Sequence, residues 1–187
     1  GIIENHQQLR QQLKAEGVVF KSETDSEVIP QMISAYINAG MDIMEAVNKT
    51  LSGLEGSYAV VIINKYDDSL IFARKNSPLV IGISDKEDEY FIASDVPAFL
   101  EFTNQVIYLD DDEYGRIDDQ LKVYSLKDKK PLRKEPVRIR WNLEQAKKGN
   151  YPHFMLKEIE EQKFTIKRAI EQDPKLLNNV VDMLTGA

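Results

Sequence analysis

The chain has 187 residues, of which 42% are hydrophobic and 29% are charged. This composition is typical of a globular domain, and no apolar run approaches the roughly 20 residues that a membrane span needs. A net charge of −7 disfavours binding to a phosphate backbone, and the absence of cysteine excludes disulfides and thiolate metal sites within these residues.

Three helices are predicted in the first third of the chain. The first covers Asn5 to Glu16, with Asn5 as its N-cap and Gly17 as its left-handed stop. A brief strand-like run follows at residues 18–20. Two further helices are predicted after Thr24 and over Met41 to Leu51.

The start of the second helix carries two signals that compete. Thr24 and Glu27 have the spacing of a capping box, while Asp25 is able to cap by itself. Pro30 lies about one turn further on, where its missing N–H would cost a hydrogen bond, so we expect a kink or an adjusted first turn.

After Gly56 the hydrophobic period changes from helix to strand. The run YAVVII at residues 58–63 has the β-branched composition of a buried strand, and six more strands are predicted at residues 70–74, 78–84, 90–94, 105–109, 114–118 and 121–126. Their short connections favour an antiparallel meander, because a parallel crossover needs a dozen or more residues. Helices followed by such strands indicate an α+β domain.

The last quarter of the chain is interpreted as a boundary followed by helices. Residues 127–150 are charged and contain proline, and the basic stretch from Lys127 to Arg140 lacks the aromatic residues of a base-stacking surface, which favours a solvated turn and strand. Helices are predicted over Pro152 to Ile170 and, after Asp173-Pro174, over Lys175 to Leu184.

The first residues are apolar, which is uncommon at a natural terminus. Because Gly1-Ile2-Ile3 has no polar lead-in, we expect the sequence to start within a strand or turn of a longer chain.

Six segments, in order, resemble class II glutamine amidotransferases and, among them, the glutamine–fructose-6-phosphate aminotransferases. They are GIIEN at residues 1–5, SETDSEVI at 22–29, GSY at 56–58, SPLVIG at 77–82, FIASD at 91–95, and HFMLKEI at 153–159 with Glu161-Gln162. The resemblance implies a four-layer αββα sandwich of two antiparallel sheets, the N-terminal-nucleophile hydrolase fold, incomplete at its N-terminus. It also implies a partial glutaminase domain over residues 1–150 and helices at 151–187 that lead toward an isomerase domain.

The resemblance further implies the chemistry. In this family an N-terminal cysteine attacks the amide of glutamine, and the released ammonia aminates fructose 6-phosphate to glucosamine 6-phosphate in a second domain. Neither step needs a metal or another cofactor. The family implies a cytoplasmic homodimer, with no nucleic acid or membrane partner. Because the nucleophile is absent from these residues, we expect the chain by itself to be inactive.

Two residues are carried over as site residues. Gly1 matches the glycine whose backbone N–H belongs to the family's oxyanion hole, although in this sequence its nitrogen is the terminal amine. Asp25 matches the aspartate that receives the α-ammonium group of glutamine. The residues alone favour a simpler role for Asp25, since an acidic side chain at a helix start stabilises the free N–H groups there.

Other polar residues are predicted to have structural roles. His6 and His153 lack acidic partners at metal-ligand spacing, and the acidic run at residues 110–113 lacks the pattern of a calcium loop, which favours a solvated turn. Ser94-Asp95 is predicted to end a strand and cap a helix. Lys157, Glu158 and Glu161 form either an exposed helix face or an interdomain contact. Two alternative functions stay open: a non-catalytic binding module with an amidotransferase-like fold, and another class II amidotransferase.

Overall fold

The computed structural model describes residues 1–65, 68–85, 89–139, 149, 151–171 and 183. The chain divides into two compact units, Gly1–Arg140 and Trp141–Ala187. Four α-helices are described: α1 His6–Ala15, α2 Val28–Asn38, α3 Ile43–Ser52 and α4 Phe154–Ile170. The predicted helix over Lys175 to Leu184 falls almost entirely outside the described residues. In the part of the chain that is described, no helix is both long and apolar enough to cross a bilayer.

In the described part of the first unit, ten strands form two sheets whose pairings are all antiparallel. Their bounds are β1 Ile2–Ile3, β2 Gly56–Ile63, β3 Leu70–Lys75, β4 Val80–Ile83, β5 Tyr90–Ala93, β6 Gln105–Tyr108, β7 Glu113–Ile117, β8 Leu121–Ser125, β9 Pro131–Leu132 and β10 Val137–Arg138. The six-stranded sheet has the order β1-β2-β3-β7-β8-β9, and the four-stranded sheet has the order β10-β6-β4-β5.

The predicted antiparallel pairing is confirmed, but the predicted meander is wrong, because consecutive strands are not always neighbours. The chain leaves the first sheet after β3, builds β4 to β6 in the second sheet, and returns so that β7 pairs with β3. Short turns require antiparallel neighbours within a sheet, but they do not prevent a strand from changing sheets. Strands β9 and β10 lie in the basic stretch from Lys127 to Arg140, where a turn and a strand were predicted.

Two cores form on the two faces of the six-stranded sheet. Helices α1 to α3 pack on one face, where Ile71 and Ala73 of β3 meet residues such as Val28, Val47 and Leu51. Phe72, between them in sequence, points to the opposite face because side chains alternate along a strand. There it packs against residues of the second sheet, including Ile81 and Ile107. The fold is thus an α+β sandwich of two antiparallel sheets, as expected.

The outer face of the four-stranded sheet is covered by a short segment. A 3₁₀ helix at Val96–Ala98 leads into Phe99, which lies so close to Gly82 that a Cβ there would come 2.7 Å from its ring. Phe91 stacks on Phe102 with ring centroids 5.2 Å apart.

Strand β2 corrects one expectation about burial. Tyr58, Val60 and Ile62 pack toward the helices, but Val61 is 48% exposed and Ile63 is 75% exposed. The run YAVVII is therefore buried on one face only. The strand-like run at residues 18–20 forms no strand; Val18 and Phe20 instead pack against the helical core.

Candidate functional site

Asp25 lies in a 3₁₀ turn, Asp25–Glu27, that leads directly into α2. Its carboxylate accepts one hydrogen bond from the backbone N–H of Ile3 at 2.7 Å and another from the N–H of Ser26 at 2.8 Å. The bond from Ile3 is the main cause that lowers the pKa of Asp25 below its ordinary value. The half-buried carboxylate is therefore ionised at neutral pH, as a partner for an ammonium group must be.

This turn also explains how α2 accommodates Pro30. The adjusted first turn is the 3₁₀ turn, and Pro30 becomes the third residue of α2. The first four N–H groups of a helix have no intrahelical partner, so a proline at this position removes no helical hydrogen bond.

Gly1 lies against the backbone of β2. A Cβ at Gly1 would collide with the carbonyl group of Ser57 and would come 2.8 Å from the Cα of Tyr58, so this position has room for glycine alone. The next residue, Ile2, pairs with Ser57 in the sheet. The close approach is a packing reason for glycine here, independent of any part in an oxyanion hole, and that role stays a prediction.

Asn5 connects the end of β1 to the loop before β2. Its side-chain amide donates to the carbonyl of Gly53 at 2.8 Å and accepts from the N–H of Glu55 at 3.1 Å. The backbone N–H of Glu4 adds a bond to the carbonyl of Glu55 at 2.9 Å. Asn5 is the N-cap residue of α1, as predicted, but its side chain makes no capping hydrogen bond, because both its polar atoms bind the distant loop.

The segment that leads to Asp25 is held by two charged residues. Arg10 of α1 donates to the carbonyls of Ser22 and Thr24, and Glu27 accepts from the N–H groups of Lys21 and Ser22. The predicted capping box is wrong, since Thr24 makes no side-chain cap and Glu27 reaches back past it. Sequence spacing identified Glu27 as a helix-start residue, but it carried no signal for Arg10.

His6 is the first residue of α1 and is half-buried. Its ring is close enough to Asp25 to contribute to the lowered pKa of that carboxyl, after the hydrogen bonds from Ile3 and Ser26. Its Nδ1 atom is buried and has no hydrogen-bond partner among the described residues. His153 lies in the second unit, directly before α4, and is exposed.

The acidic run at residues 110–113 is an ion-pair network, and the predicted solvated turn is wrong for its last member. Glu113 is 6% exposed and lies 2.7 Å from the Nζ of Lys134, which also bonds Asp110 at 2.7 Å. Asp111 pairs with Arg74 at 2.6 Å. Long-range basic partners, which the local sequence does not show, account for the difference.

The cap predicted at the end of β5 is confirmed. Asp95 follows the end of β5 and caps the 3₁₀ helix by accepting from the N–H of Val96 at 2.8 Å. Lys157 and Glu161 approach to 3.8 Å on α4. No group of three or more potential metal ligands occurs within the described residues.

Comparisons with known proteins agree with this architecture. A family model described as a glutamine amidotransferase domain matches residues 1–101. The chain is similar to the glutamine–fructose-6-phosphate aminotransferase [isomerizing] of Thermococcus kodakarensis, with 45% identity over 188 residues. It is also similar to the enzyme of that name in Methanothermobacter thermautotrophicus, with 41% identity over 184 residues. These alignments cover 100% and 98% of the chain but 31% of each relative.

Two solved structures are also similar to part of this chain. The glutamine phosphoribosylpyrophosphate amidotransferase of B. subtilis has a TM-score of 0.56 and 28% identity, over 66% of this chain and 27% of that chain. A structure described as the allosteric regulatory enzyme of purine biosynthesis has a TM-score of 0.57 and 26% identity, over 68% and 27%. This chain therefore belongs to the glutamine amidotransferase domain family, and along its length it is similar to the glutamine–fructose-6-phosphate aminotransferases.

Proposed function

We propose that this chain contributes part of the glutamine-binding pocket of a longer enzyme. That enzyme hydrolyses glutamine to glutamate and ammonia and transfers the ammonia to fructose 6-phosphate, giving glucosamine 6-phosphate. Residues 1–150 then belong to the glutaminase domain, and residues 151–187 lead toward the isomerase domain. The relatives support this proposal, since the chain spans 31% of the length of each.

One observation carries the proposal beyond the family assignment. The hydrogen bond from Ile3 to Asp25 joins the strand that begins beside Gly1 to the turn that carries the carboxylate. Gly1 and Asp25, which the resemblance assigns to the glutamine site, thus lie on two segments that a hydrogen bond joins. In this arrangement Asp25 receives the α-ammonium group of glutamine, and the N–H of Gly1 contributes to the oxyanion hole when an asparagine precedes it.

The chemical step needs a group from outside these residues. A cysteine thiolate attacks the side-chain amide carbon, ammonia leaves, and water then hydrolyses the thioester to glutamate. No cysteine occurs among the 187 residues, so the chain alone is proposed to be inactive. We further propose a cytoplasmic homodimer as the assembly, which light scattering on the full-length protein will test.

The experiment uses the full open reading frame that encodes this chain. We expect glutamine-dependent synthesis of glucosamine 6-phosphate, and we expect Asp25→Ala to raise the KM for glutamine by at least about tenfold, because a charge-assisted bond is lost. Synthesis supported by free ammonia should persist. Asp119→Ala, an exposed aspartate in the turn between β7 and β8, is the matched control.

Two results would contradict the proposal. Wild-type glutamine kinetics in Asp25→Ala would remove Asp25 from the site. An unrelated domain upstream, with no cysteine positioned to react, would favour the alternative of a non-catalytic binding module.

A further inference from the structure

We propose that Arg10 and Glu27 are positioning residues that hold the segment of residues 21–24 and thereby set the affinity for glutamine through Asp25. The inference rests on the proposed function, because it assigns a purpose to the support of Asp25. Neither residue is placed in contact with substrate.

Arg10 fixes the carbonyl side of the segment. Its Nη1 donates to the carbonyl of Ser22 at 2.8 Å, and its Nη2 donates to the carbonyl of Thr24 at 2.8 Å. The guanidinium carbon lies 4.2 Å from the centre of the Phe20 ring, where a cation is attracted to the aromatic face. A planar guanidinium reaches two separated carbonyls in a fixed geometry, which a single ammonium group does not reproduce.

Glu27 fixes the N–H side of the same segment. Its Oε1 accepts from the backbone N–H of Lys21 at 2.7 Å, and its Oε2 accepts from the N–H of Ser22 at 2.7 Å. The hydroxyl of Ser22 bonds to Oε2 at 2.5 Å, and the amide of Gln31 lies 3.3 Å from Oε1. Both carboxylate oxygens are therefore engaged.

Arg10 and Glu27 bind opposite kinds of backbone group, according to their charge. The cation takes carbonyls and the anion takes N–H groups, so backbone groups outside any helix or strand are satisfied by charged side chains from α1 and from the 3₁₀ turn. Thr24, whose carbonyl Arg10 holds, directly precedes Asp25. Because a charge-assisted hydrogen bond weakens when the carboxylate is displaced from its position, support of this kind affects binding and not only folding.

The test measures glutamine kinetics in the full-length enzyme. We expect Arg10→Ala to raise the KM for glutamine about tenfold, with kcat at saturating glutamine changed by less than about twofold and ammonia-supported synthesis unchanged. Arg10→Lys should not restore the KM, because it loses the fork. Lys14→Ala removes an exposed cation one turn further along α1 and should leave the KM unchanged.

Glu27→Gln provides an independent variant of nearly the same shape, and it should also raise the KM for glutamine. If Arg10→Ala loses ammonia-supported synthesis through misfolding, Glu27→Gln decides the question. Wild-type KM values in the folded variants, alongside a raised KM in Asp25→Ala, would overturn this inference alone. A wild-type KM in Asp25→Ala would overturn the proposed function itself.

Discussion

The Asp25 carboxylate accepts a hydrogen bond of 2.7 Å from the backbone N–H of Ile3, 22 residues earlier in the chain. Through this bond the edge strand β1 is attached to the turn before α2 as well as to β2. A strand of two residues has little stabilisation of its own, so this contact contributes to its position.

The bond makes a prediction about acid sensitivity. The folded-state pKa of Asp25 is lowered, chiefly by Ile3, so the ionised form is favoured by folding. Its stabilisation is present above the ordinary carboxyl pKa of about 3.9 and is lost as pH falls through the lower folded value. Asp25→Ala should therefore speed amide exchange at Ile3 at pH 7. The difference in unfolding free energy from wild type should shrink below about pH 4.

Gly115 and Gly53 form a matched pair for testing the packing between the sheets. A Cβ at Gly115 would collide with the ring of Phe72 and with the carbonyl of Lys122. Gly115→Ala should lower the unfolding free energy by about 1–3 kcal/mol, because the ring is fully buried and backbone must shift. Gly53 has φ −91°, and a Cβ there meets its nearest neighbour at 3.5 Å. Gly53→Ala should be tolerated, as urea denaturation followed by circular dichroism will show.

Tyr58 and Tyr114 test the cost of an unsatisfied hydroxyl. The hydroxyl of Tyr58 is buried without a hydrogen-bond partner among the described residues, and burial raises its pKa. Tyr58→Phe should therefore leave stability unchanged or raise it by up to about 1 kcal/mol. Tyr114 interacts with the side-chain amide of Asn48, so Tyr114→Phe should cost about 0.5–1.5 kcal/mol. Equal losses in both variants, measured by urea denaturation, would contradict this account.

Lys134 and Glu113 should show strong energetic coupling. The Glu113 side chain is 8% exposed and the Lys134 side chain is 17% exposed, so their ion pair is largely shielded from water. Lys134→Met should destabilise the fold by about 1–3 kcal/mol, because it leaves a buried carboxylate without its cation.

The double variant Lys134→Met, Glu113→Gln should recover part of that loss. A double-mutant cycle on thermal unfolding measures the coupling. Additive effects of the two substitutions would show that the pair contributes nothing beyond its separate contacts.

Periodicity was enough to place most helices and strands, because each is encoded by local spacing of apolar residues. It failed where the decisive partner is distant in sequence. Asn5 has the residue type and position of an N-cap, but the loop at residues 53–55 offered a donor and an acceptor together. Glu113 was predicted to be solvated because the acidic run lacks the pattern of a calcium loop, while its cation lies 21 positions later at Lys134.

The order of strands in the sheets could not be predicted from local sequence either. Nothing in the turns after β3 distinguishes a strand that stays in its sheet from one that crosses to the other. The exposed face of β2 was missed for the same reason, since YAVVII has the composition of a strand buried on both sides. At the candidate site, Asp25 was predicted from the resemblance, but Arg10 was not, because its contacts with Ser22 and Thr24 join residues 12 and 14 positions apart.

The pairing of β3 with β7 has a consequence for how the domain folds. Leu70 pairs with Ile117, so β3 remains without its second neighbour until three strands of the other sheet have been synthesised. Closing a loop of this length costs entropy before the contacts that compensate it can form. We therefore expect the hairpin of β2 and β3 to form early and to pack against helices α1 to α3. The six-stranded sheet should be completed later and more slowly.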